Sequence, residues 1–514
     1  MKSILTMLAL LTFFYEIANA QIPKEKNPLN EKQVSLVPNT PGKAPDYFCT
    51  WNVQGYAGSY LTTEGMRENL NQKYIFGTGK NEGWVNFFPS IRKDLYFVMD
   101  DSWDIPQSMN SPNDYFGKVE LDTSRFPSYT GQSKDRLKKL VTDIKSYGWK
   151  GVGGWICAQE APIYGKVDQK KYWIERLQAA NFASFDYWKV DWGKNSNEEA
   201  WRKMLTDLGD QYAPKLIIEH AMQNKFIEFS DVFRTYDVEN VISQPETVRR
   251  IADLLAFKAH ENAQGIINCE DEPYIAAGLG CAIGIMRHSL KGSLPNGTQD
   301  FAFPPVGRDL KNRQDEVVRG VKWHRIAEPF GVGTTPYEID SVKLIDYWIF
   351  KKWETWVTSR QEGDTLTSIT PASISRGLPL PEINNLQSKH QPVVLASKYP
   401  NGAIAIVTIG RSIGREYVLN RESVTVKIPQ VTTTFGIFGD YNELILVFPE
   451  KINRIPIKIY GQDLAGEIPV NLTQRIKIDD NKLIVPGDLI REIGLMAASK
   501  GDVSDPGMIL KIIR

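Results

Sequence analysis

The chain has 514 residues and a formal net charge of zero, with 61 basic and 61 acidic side chains. This length exceeds what one ordinary core supports, so it predicts two or three domains. The charges form no long run of either sign, which excludes the basic excess typical of nucleic-acid binders and membrane-surface proteins. The 13 tryptophans favour sugar-stacking surfaces, although large cores also contain many aromatic residues.

The N-terminus has the pattern of a secretory signal peptide. Residues 1–20 contain one lysine, an apolar stretch from Ile4 to Phe14 and an A-x-A sequence before Gln21. The apolar stretch is too short to span a bilayer. We therefore expect a cleavable signal and a secreted or periplasmic protein without a membrane anchor. Residues 21–45 are rich in Pro, Lys and Asn and predict a loosely attached leader segment.

Eight short apolar runs follow, and segments with helical periodicity separate most of them. The runs are YFCTWNVQG, LYFVMDD, GVGGWICA, FDYWKVDWG, KLIIEHAMQ, DVFRTYDVE, GIINCEDE and GCAIGIM. Buried strands that alternate with amphipathic helices predict a parallel sheet covered by helices, and eight strands make a (β/α)8 barrel. An open doubly wound sheet is the alternative, but polar residues end many strands rather than one switch point.

The clearest helix is predicted in SKDRLKKLVTDIKSYG, with Ser133 as its N-cap and Gly148 at its end. Its apolar stripe consists of Leu137, Leu140, Val141 and Ile144.

The pattern changes after Leu378. PVVLASKYPNGAIAIVTIG predicts two strands joined through Pro400-Asn401-Gly402, and ESVTVKIP and NELILVF predict further strands. We therefore assign residues 46–378 to an α/β catalytic barrel and 379–514 to a C-terminal antiparallel β-sandwich that covers it.

Disulfide, metal and cofactor chemistry have little support. The four cysteines, Cys49, Cys157, Cys269 and Cys281, form no CxxC pair, so at most one disulfide is expected. The five histidines show no metal-binding spacing, and a metal held by strand-end carboxylates is the minor alternative. Walker and G-x-S-x-G motifs are absent. We expect neither a metal nor another cofactor.

Acidic residues collect at the ends of the predicted strands. In a barrel these ends form one face, where catalytic groups lie. Lys189 and Asp191 should emerge on the same side of their strand, because side chains alternate between its faces. Glycoside hydrolysis needs two carboxylates beside the scissile bond, polar groups for the hydroxyls and flat apolar surfaces. The acids and neighbouring tryptophans that fit this requirement are Asp100, Asp101, Asp191, Glu219, Asp237, Trp51, Trp103, Trp155, Trp188 and Trp192.

Five segments in order, CTWNVQGY, FVMDDSW, YWKVDWG, IIEHAMQ and FRTYDVE, resemble glycoside hydrolase family 27, the α-galactosidases. The resemblance covers nearly all of the chain after the signal. It implies a (β/α)8 barrel with a C-terminal β-sandwich. It also implies an exo-acting enzyme that removes terminal α-linked galactose from a carbohydrate by double displacement, with retention.

The same resemblance implies roles for individual residues. Asp191 matches the nucleophile, and Lys189 matches the lysine that binds sugar hydroxyls and keeps Asp191 ionised. Asp100 and Asp101 match the adjacent acids that bind the 4- and 6-hydroxyls.

Further substrate-binding residues follow from the same motifs. Trp51 matches a tryptophan in the pocket wall, and Trp103 completes the DD-x-W motif. Glu219 resembles the acid near the 2-hydroxyl, and Arg234 is a further predicted substrate-binding residue. His220 replaces a bulky residue that often follows this glutamate, which leaves recognition around carbon 2 open.

Asp237 is the predicted general acid/base. The family places this acid four residues after an arginine, whereas Arg234 precedes Asp237 by three. Asp231 and Glu239 are the alternatives.

Two other functions remain open. The first is a related glycosidase, such as a β-L-arabinopyranosidase or another α-glycosidase. The second is a secreted carbohydrate-binding protein without catalysis. Sequons at Asn296 and Asn471 would matter only in a host that glycosylates them.

Overall fold

The computed structural model describes most of the chain beyond the leader. The described residues are 34–58, 62–78, 81–109, 112–235, 242–258, 265–268, 272–290, 310–333, 335–351, 361–429, 433–452 and 457–513. The predicted signal peptide and residues 21–33 of the leader lie outside them. So do the predicted acid/base Asp237, its alternative Glu239, Cys269 and the sequon at Asn296.

Eight parallel strands form a closed barrel, as the sequence predicted. Strands β1 to β8 are Tyr47–Cys49, Tyr96–Met99, Gly151–Ile156, Tyr187–Val190, Ile217–His220, Val232–Arg234, Ile266–Asn268 and Ala282–Ile285. Each lies within one of the eight apolar runs. Strand β1 pairs with both β2 and β8, which closes the barrel. The first strand is shorter than its run, because a helix begins at Trp51.

Helices surround the barrel, and one packs in the C-terminal domain. They are Trp51–Ala57, Thr63–Arg67, Gln72–Phe76, Ser133–Ser146, Gln169–Ala183, Glu199–Tyr212, Ser243–Leu254, Pro273–Leu279, Gln314–His324 and Gly487–Gly494. Short 3-10 turns occupy Trp84–Asn86, Arg92–Asp94, Pro112–Asp114, Pro162–Tyr164, Asn224–Glu228 and Leu310–Asn312. A two-stranded ladder joins Gly77–Thr78 to Asn81–Glu82. None of the helices in the described ranges is long and apolar enough to cross a membrane.

The clearest predicted helix is present, with a one-residue difference at its start. Gln132, not Ser133, is the N-cap residue, and its side chain makes no capping hydrogen bond. The predicted apolar stripe is buried. Gly148 follows the helix with a φ of 94°, a conformation that glycine adopts without strain.

Side chains of the barrel strands alternate between two cores. One set points into the barrel and packs together: Tyr47, Cys49, Val98, Tyr187, Val232, Ala282 and Met286. The alternate set packs against the helices and includes Phe48, Phe97, Met99, Trp188, Val190, Ile218 and Phe233. This period of two decides which strand-end residues reach the barrel mouth.

Among the residues that the structure describes, the C-terminal domain contains three sheets. The eight-stranded sheet runs in the order Tyr337–Ile339, Ser373–Arg376, Val393–Lys398, Ile404–Ile409, Thr434–Phe438, Gly507–Ile513, Lys458–Asp463 and Val470–Asn471. The five-stranded sheet runs Glu382–Asn384, Ser423–Lys427, Glu443–Val447, Lys482–Pro486 and Lys477–Asp479. A four-stranded sheet runs Thr365–Pro371, Lys343–Ile349, Arg411–Gly414 and Glu416–Val418. The eight- and five-stranded sheets enclose a second hydrophobic core, which makes a β-sandwich.

Details of the sandwich differ from the expectation. The predicted hairpin at residues 400–402 joins two antiparallel strands. The strands in ESVTVKIP and NELILVF pair in parallel, so the sheets are mixed. The eight-stranded sheet begins at Tyr337, before the predicted boundary at 378. The strand Lys343–Ile349 of the four-stranded sheet also precedes that boundary, and its solvent face carries the exposed Ile345 and Ile349, so its sequence lacks a clean polar alternation.

The barrel and the sandwich share a buried contact. The helix Pro273–Leu279 packs against the eight-stranded sheet, and a Cβ at Gly278 would lie 2.8 Å from Val407. Arg319 of the barrel donates from Nε and Nη2 to both carboxylate oxygens of Asp463, at 2.9 and 3.1 Å. Both side chains are buried, so this pair fixes the orientation of one domain on the other.

We expect the substitution Arg319→Met to destabilise the protein by about 3–5 kcal/mol, because it leaves the buried Asp463 carboxylate without its partner. The measurement is the midpoint of urea unfolding. Arg475→Met is the matched control, since Arg475 pairs with Glu492 on the surface, and it should cost less than about 1 kcal/mol. Equal losses in the two variants would contradict a special contribution of the buried pair.

Candidate active site

Lys189 and Asp100 form an ion pair inside the barrel mouth. Lys189 Nζ lies 2.7 Å from Asp100 Oδ2, and the Cys49 thiol donates to the same oxygen at 2.8 Å. Burial, followed by the nearby Asp100 charge, raises the pKa of Cys49 well above its usual value, so the thiol stays protonated. The amide of Asp101 donates to Asp100 Oδ1 at 2.8 Å. The Asp100 carboxylate is therefore held on both oxygens.

Asp101 turns toward a different partner. Arg67 donates to its Oδ2 from Nε at 2.9 Å, and Arg67 Nη2 lies 2.8 Å from the same oxygen. The Ser102 hydroxyl donates to Oδ1 at 2.8 Å. Burial raises the pKa of Asp101, and the charge of Arg67 opposes this rise. The two neighbouring aspartates thus have separate cationic partners.

Arg234 connects the acids of strands β4 and β5. Its Nε donates to Glu219 Oε1 at 2.7 Å, and its Nη2 lies 3.2 Å from Asp191 Oδ1. The Tyr187 hydroxyl donates to Glu219 Oε2 at 2.6 Å. Arg234 and Glu219 are both 0 % exposed. Burial raises the pKa of Glu219, and Arg234 opposes this rise. A buried ionic set of this kind needs opposite charges in close contact.

Asp191 has the environment of an ionised carboxylate. Burial alone would raise its pKa, but the positive charges of Arg234 and Lys189 outweigh burial and lower it. The Trp155 indole N–H donates to Asp191 Oδ2 at 2.9 Å and acts in the same direction. The nearest cation is Arg234, whereas Lys189 pairs directly with Asp100. The charge of Lys189 thus lowers the pKa of Asp191 while its Nζ pairs with Asp100.

Arg202 supports the backbone at Asp191. Its Nη2 donates to the Asp191 carbonyl at 2.6 Å, and its Nη1 donates to the Val190 carbonyl and to His220 Nδ1, both at 3.2 Å. Because arginine has no acceptor, His220 Nε2 carries the proton and donates to Thr206 at 2.9 Å.

Aromatic rings line the mouth beside Asp191. Trp155 and the half-buried Trp192 have ring centroids 5.4 Å apart, and Phe116 meets Trp192 edge-on at 4.9 Å. The Arg67 guanidinium lies 4.9 Å from the Phe116 centroid and 5.9 Å from that of Trp192. The Arg67 guanidinium therefore contacts both the Asp101 carboxylate and the ring of Trp192, the residue after Asp191.

The other predicted residues lie in different places. Trp51 is half-buried and packs against the inward-facing core. Trp103 is 0 % exposed, packs against Phe185 and donates its indole N–H to the Trp155 carbonyl, so it lies in the core behind the strands. His220 points away from the mouth, toward Arg202 and Phe229.

Asp231, one alternative for the acid/base, lies at the start of β6. Asp231 precedes β6, and its carboxylate accepts from the Ile218 amide at 2.7 Å. This position is at the start of β6, away from the strand end where Arg234 lies. Asp237 and Glu239 lie outside the described residues, in the segment that follows Arg234.

Several contacts of the site were not predicted as such. Tyr187 shares the inward face of β4 with Lys189, so the period of two could have identified it. The sequence indicated Trp155 only as one of several tryptophans. Arg67 and Cys49 carry no local signal, because their partners are Asp101 and Asp100 on another strand. Among the described residues, no group of three or more His, Cys, Asp or Glu side chains is arranged to hold a metal ion, and Cys49, Cys157 and Cys281 are free thiols.

No protein-family model and no curated protein matches this chain. Solved structures with a similar course of the chain include α-galactosidase I from Mortierella vinacea, with 12% identity, 91% of this chain and 96% of that chain covered, and a TM-score of 0.41. A GH27 β-L-arabinopyranosidase from Geobacillus stearothermophilus, in complex with arabinose, has 12% identity, coverage of 92% and 97%, and a TM-score of 0.39. An α-amylase from Geobacillus thermoleovorans, complexed with acarbose, has 9% identity, coverage of 92% and 99%, and a TM-score of 0.42.

The buried side chain of His220 makes the free energy of unfolding depend on pH. Burial and the neighbouring Arg202 hold the pKa of His220 well below its usual value. Below about pH 6.5 His220 takes up a proton in the unfolded chain but stays neutral in the folded protein. The free energy of unfolding therefore falls below that pH, by up to about 1.4 kcal/mol per pH unit from this group. His220→Asn should remove this contribution, which is measured as the slope of unfolding midpoints between pH 7 and 5. His390→Asn, in the C-terminal domain, is the control, and an unchanged slope in His220→Asn would refute the expectation.

Proposed function

We propose that the protein is a retaining glycoside hydrolase and that Asp191 is its nucleophile. The observation that carries this proposal is the environment of Asp191. Its carboxylate is buried and has a lowered pKa, which favours the ionised form that a nucleophile needs. An indole N–H and a guanidinium fix its orientation. It lies at the end of a barrel strand, where barrel enzymes carry their catalytic groups.

The first chemical step forms a covalent intermediate. An Asp191 oxygen attacks the anomeric carbon, and the bond from that carbon to the leaving oxygen breaks. A protonated carboxylic acid gives its proton to the leaving oxygen. We assign this acid to Asp237, because its segment follows Arg234 at the end of β6.

The second step releases the sugar. Asp237, now ionised, takes a proton from water, whose oxygen attacks the anomeric carbon and displaces Asp191. Two displacements give net retention. Arg234 and Lys189 balance the charge of Asp191 while the carboxylate is free, and Glu219 holds Arg234 in place.

The proposed substrate is a terminal α-linked galactose on a secreted or periplasmic carbohydrate. The sequence motifs support this choice, since Asp100 and Asp101 match the acids that bind the 4- and 6-hydroxyls. Asp100 is buried at the barrel mouth and pairs with Lys189, which is compatible with that role for Asp100.

Hydrolysis of 4-nitrophenyl α-D-galactopyranoside by the chain from Gln21 tests the proposal. Asp191→Asn and Asp237→Asn should each lower kcat by roughly 10³-fold or more. Asp231→Asn is the matched control and should retain activity. β-L-Arabinopyranosides and other α-glycosides complete the panel. Sugar binding without turnover of any member would instead favour a carbohydrate-binding protein.

Azide rescue separates the two catalytic roles. In Asp191→Gly, azide attacks in place of the missing carboxylate and yields the β-glycosyl azide. In Asp237→Ala, azide attacks the glycosyl-enzyme and yields the α-glycosyl azide. NMR spectroscopy of the products distinguishes the two anomers. An α-glycosyl azide from Glu239→Ala, together with none from Asp237→Ala, would move the acid/base to Glu239.

The Trp155 indole provides a further test of the nucleophile. Trp155→Phe removes the donor to Asp191 Oδ2, so the pKa of Asp191 should rise and the acid limb of the kcat/KM profile should move to higher pH. Trp188→Phe is the control, because the buried Trp188 indole makes no hydrogen bond within the described ranges. An acid limb that stays in place in Trp155→Phe would argue against Asp191 as the titrating group.

A further inference from the structure

Arg67 occupies a position at the mouth that the motifs do not explain. It ends the short helix Thr63–Arg67, outside the barrel strands, yet it holds Asp101 Oδ2 through Nε and Nη2. Its side chain is 12 % exposed, against 3 % for Asp101 and 9 % for Asp191. Arg67 is therefore more open to a ligand than the aspartate it holds.

The oxygens of Asp101 already have donors. Oδ2 receives Arg67, and Oδ1 receives the Ser102 hydroxyl. A carboxylate in this state has little capacity left to accept from a sugar hydroxyl. Arg67 has capacity, because its Nη1 makes no hydrogen bond with any residue that the structure describes and lies 4.0 Å from the exposed Glu64 Oε1.

The guanidinium is also held rigidly near the reaction centre. Phe116 and Trp192 lie against it, and Trp192 directly follows Asp191. An arginine fixed by a carboxylate and two rings loses little conformational freedom when it binds an oxygen ligand.

We propose that Arg67 contacts the substrate and that Asp101 acts as its positioning residue. This inference rests on the proposed glycosidase function and deepens it. Arg67 donates to an oxygen on C6, the exocyclic carbon that projects furthest from the ring. The chain therefore selects α-glycosides oxygenated at C6, with a C6 carboxylate as the strongest ligand, over 6-deoxy sugars and pentopyranosides.

A substrate series combined with Arg67 variants tests this assignment. The 4-nitrophenyl substrates are α-D-galactopyranoside, α-D-galactopyranosiduronic acid, α-D-fucopyranoside, which lacks the 6-oxygen, and β-L-arabinopyranoside, which lacks C6. Arg67→Met should lower kcat/KM for the two oxygenated substrates about tenfold or more, and for the other two less than about threefold. Arg67→Lys should restore part of the difference, because it keeps the charge.

Arg325→Met is the matched control, because Arg325 forms a comparable two-point pair with Asp94 before the start of β2. Arg325→Met should leave the ratio of kcat/KM for the galactoside to kcat/KM for the fucoside unchanged. A uniform loss on all four substrates in Arg67→Met, or no loss, would overturn the inference and assign Arg67 a structural role.

A binding measurement separates this inference from the proposed function. Calorimetry measures Kd for methyl α-D-galactopyranoside and methyl α-D-fucopyranoside without turnover. The proteins are Asp191→Asn with and without Arg67→Met, and the quantity compared is the ratio of the two Kd values. If no glycoside is hydrolysed but the ratio collapses in Arg67→Met, the hydrolase proposal fails and the Arg67 contact stands. If glycosides are hydrolysed and the ratio is unchanged, the hydrolase proposal stands and the Arg67 contact fails.

Discussion

The buried guanidinium of Arg234 lies between two buried carboxylates, and its charge favours the ionised form of each. It donates to Glu219 and faces Asp191, and it is itself shielded from solvent. Burial favours the neutral form of both acids, and Arg234 is the largest influence that opposes burial at each of them.

The parallel strand order of the barrel brings Arg234 close to the strands that carry the two acids. Parallel pairing sets Lys189 opposite Glu219, and β6 carries Arg234 next to β5. The period of two then separates neighbours in sequence: Glu219 enters the barrel, while His220 enters the helix layer and meets Arg202. Since Arg202 holds the Asp191 carbonyl, the outer layer also positions the strand end that carries the acid.

The sandwich gives the barrel a fixed outer support. The helix Pro273–Leu279 lies between β7 and β8 in sequence and packs on the eight-stranded sheet, so hydrophobic burial couples this side of the barrel to the second domain. The buried Arg319–Asp463 pair adds directional contact. The contact lies within the core that surrounds the barrel, so the sandwich supports the fold whether or not it also binds carbohydrate.

Local patterns in the chain were enough to predict all eight barrel strands, because parallel strands require continuous apolar runs that end in polar residues. They also placed Asp100, Asp101, Lys189, Asp191 and Glu219 at one face, because strand ends of one barrel meet at one face. The folded barrel was needed to show which cation serves which acid, that Trp103 and His220 lie behind the strands, and that Arg67 and Cys49 join the mouth. Those outcomes depend on contacts between residues far apart in the chain and on the face that each side chain takes, and no local pattern encodes either.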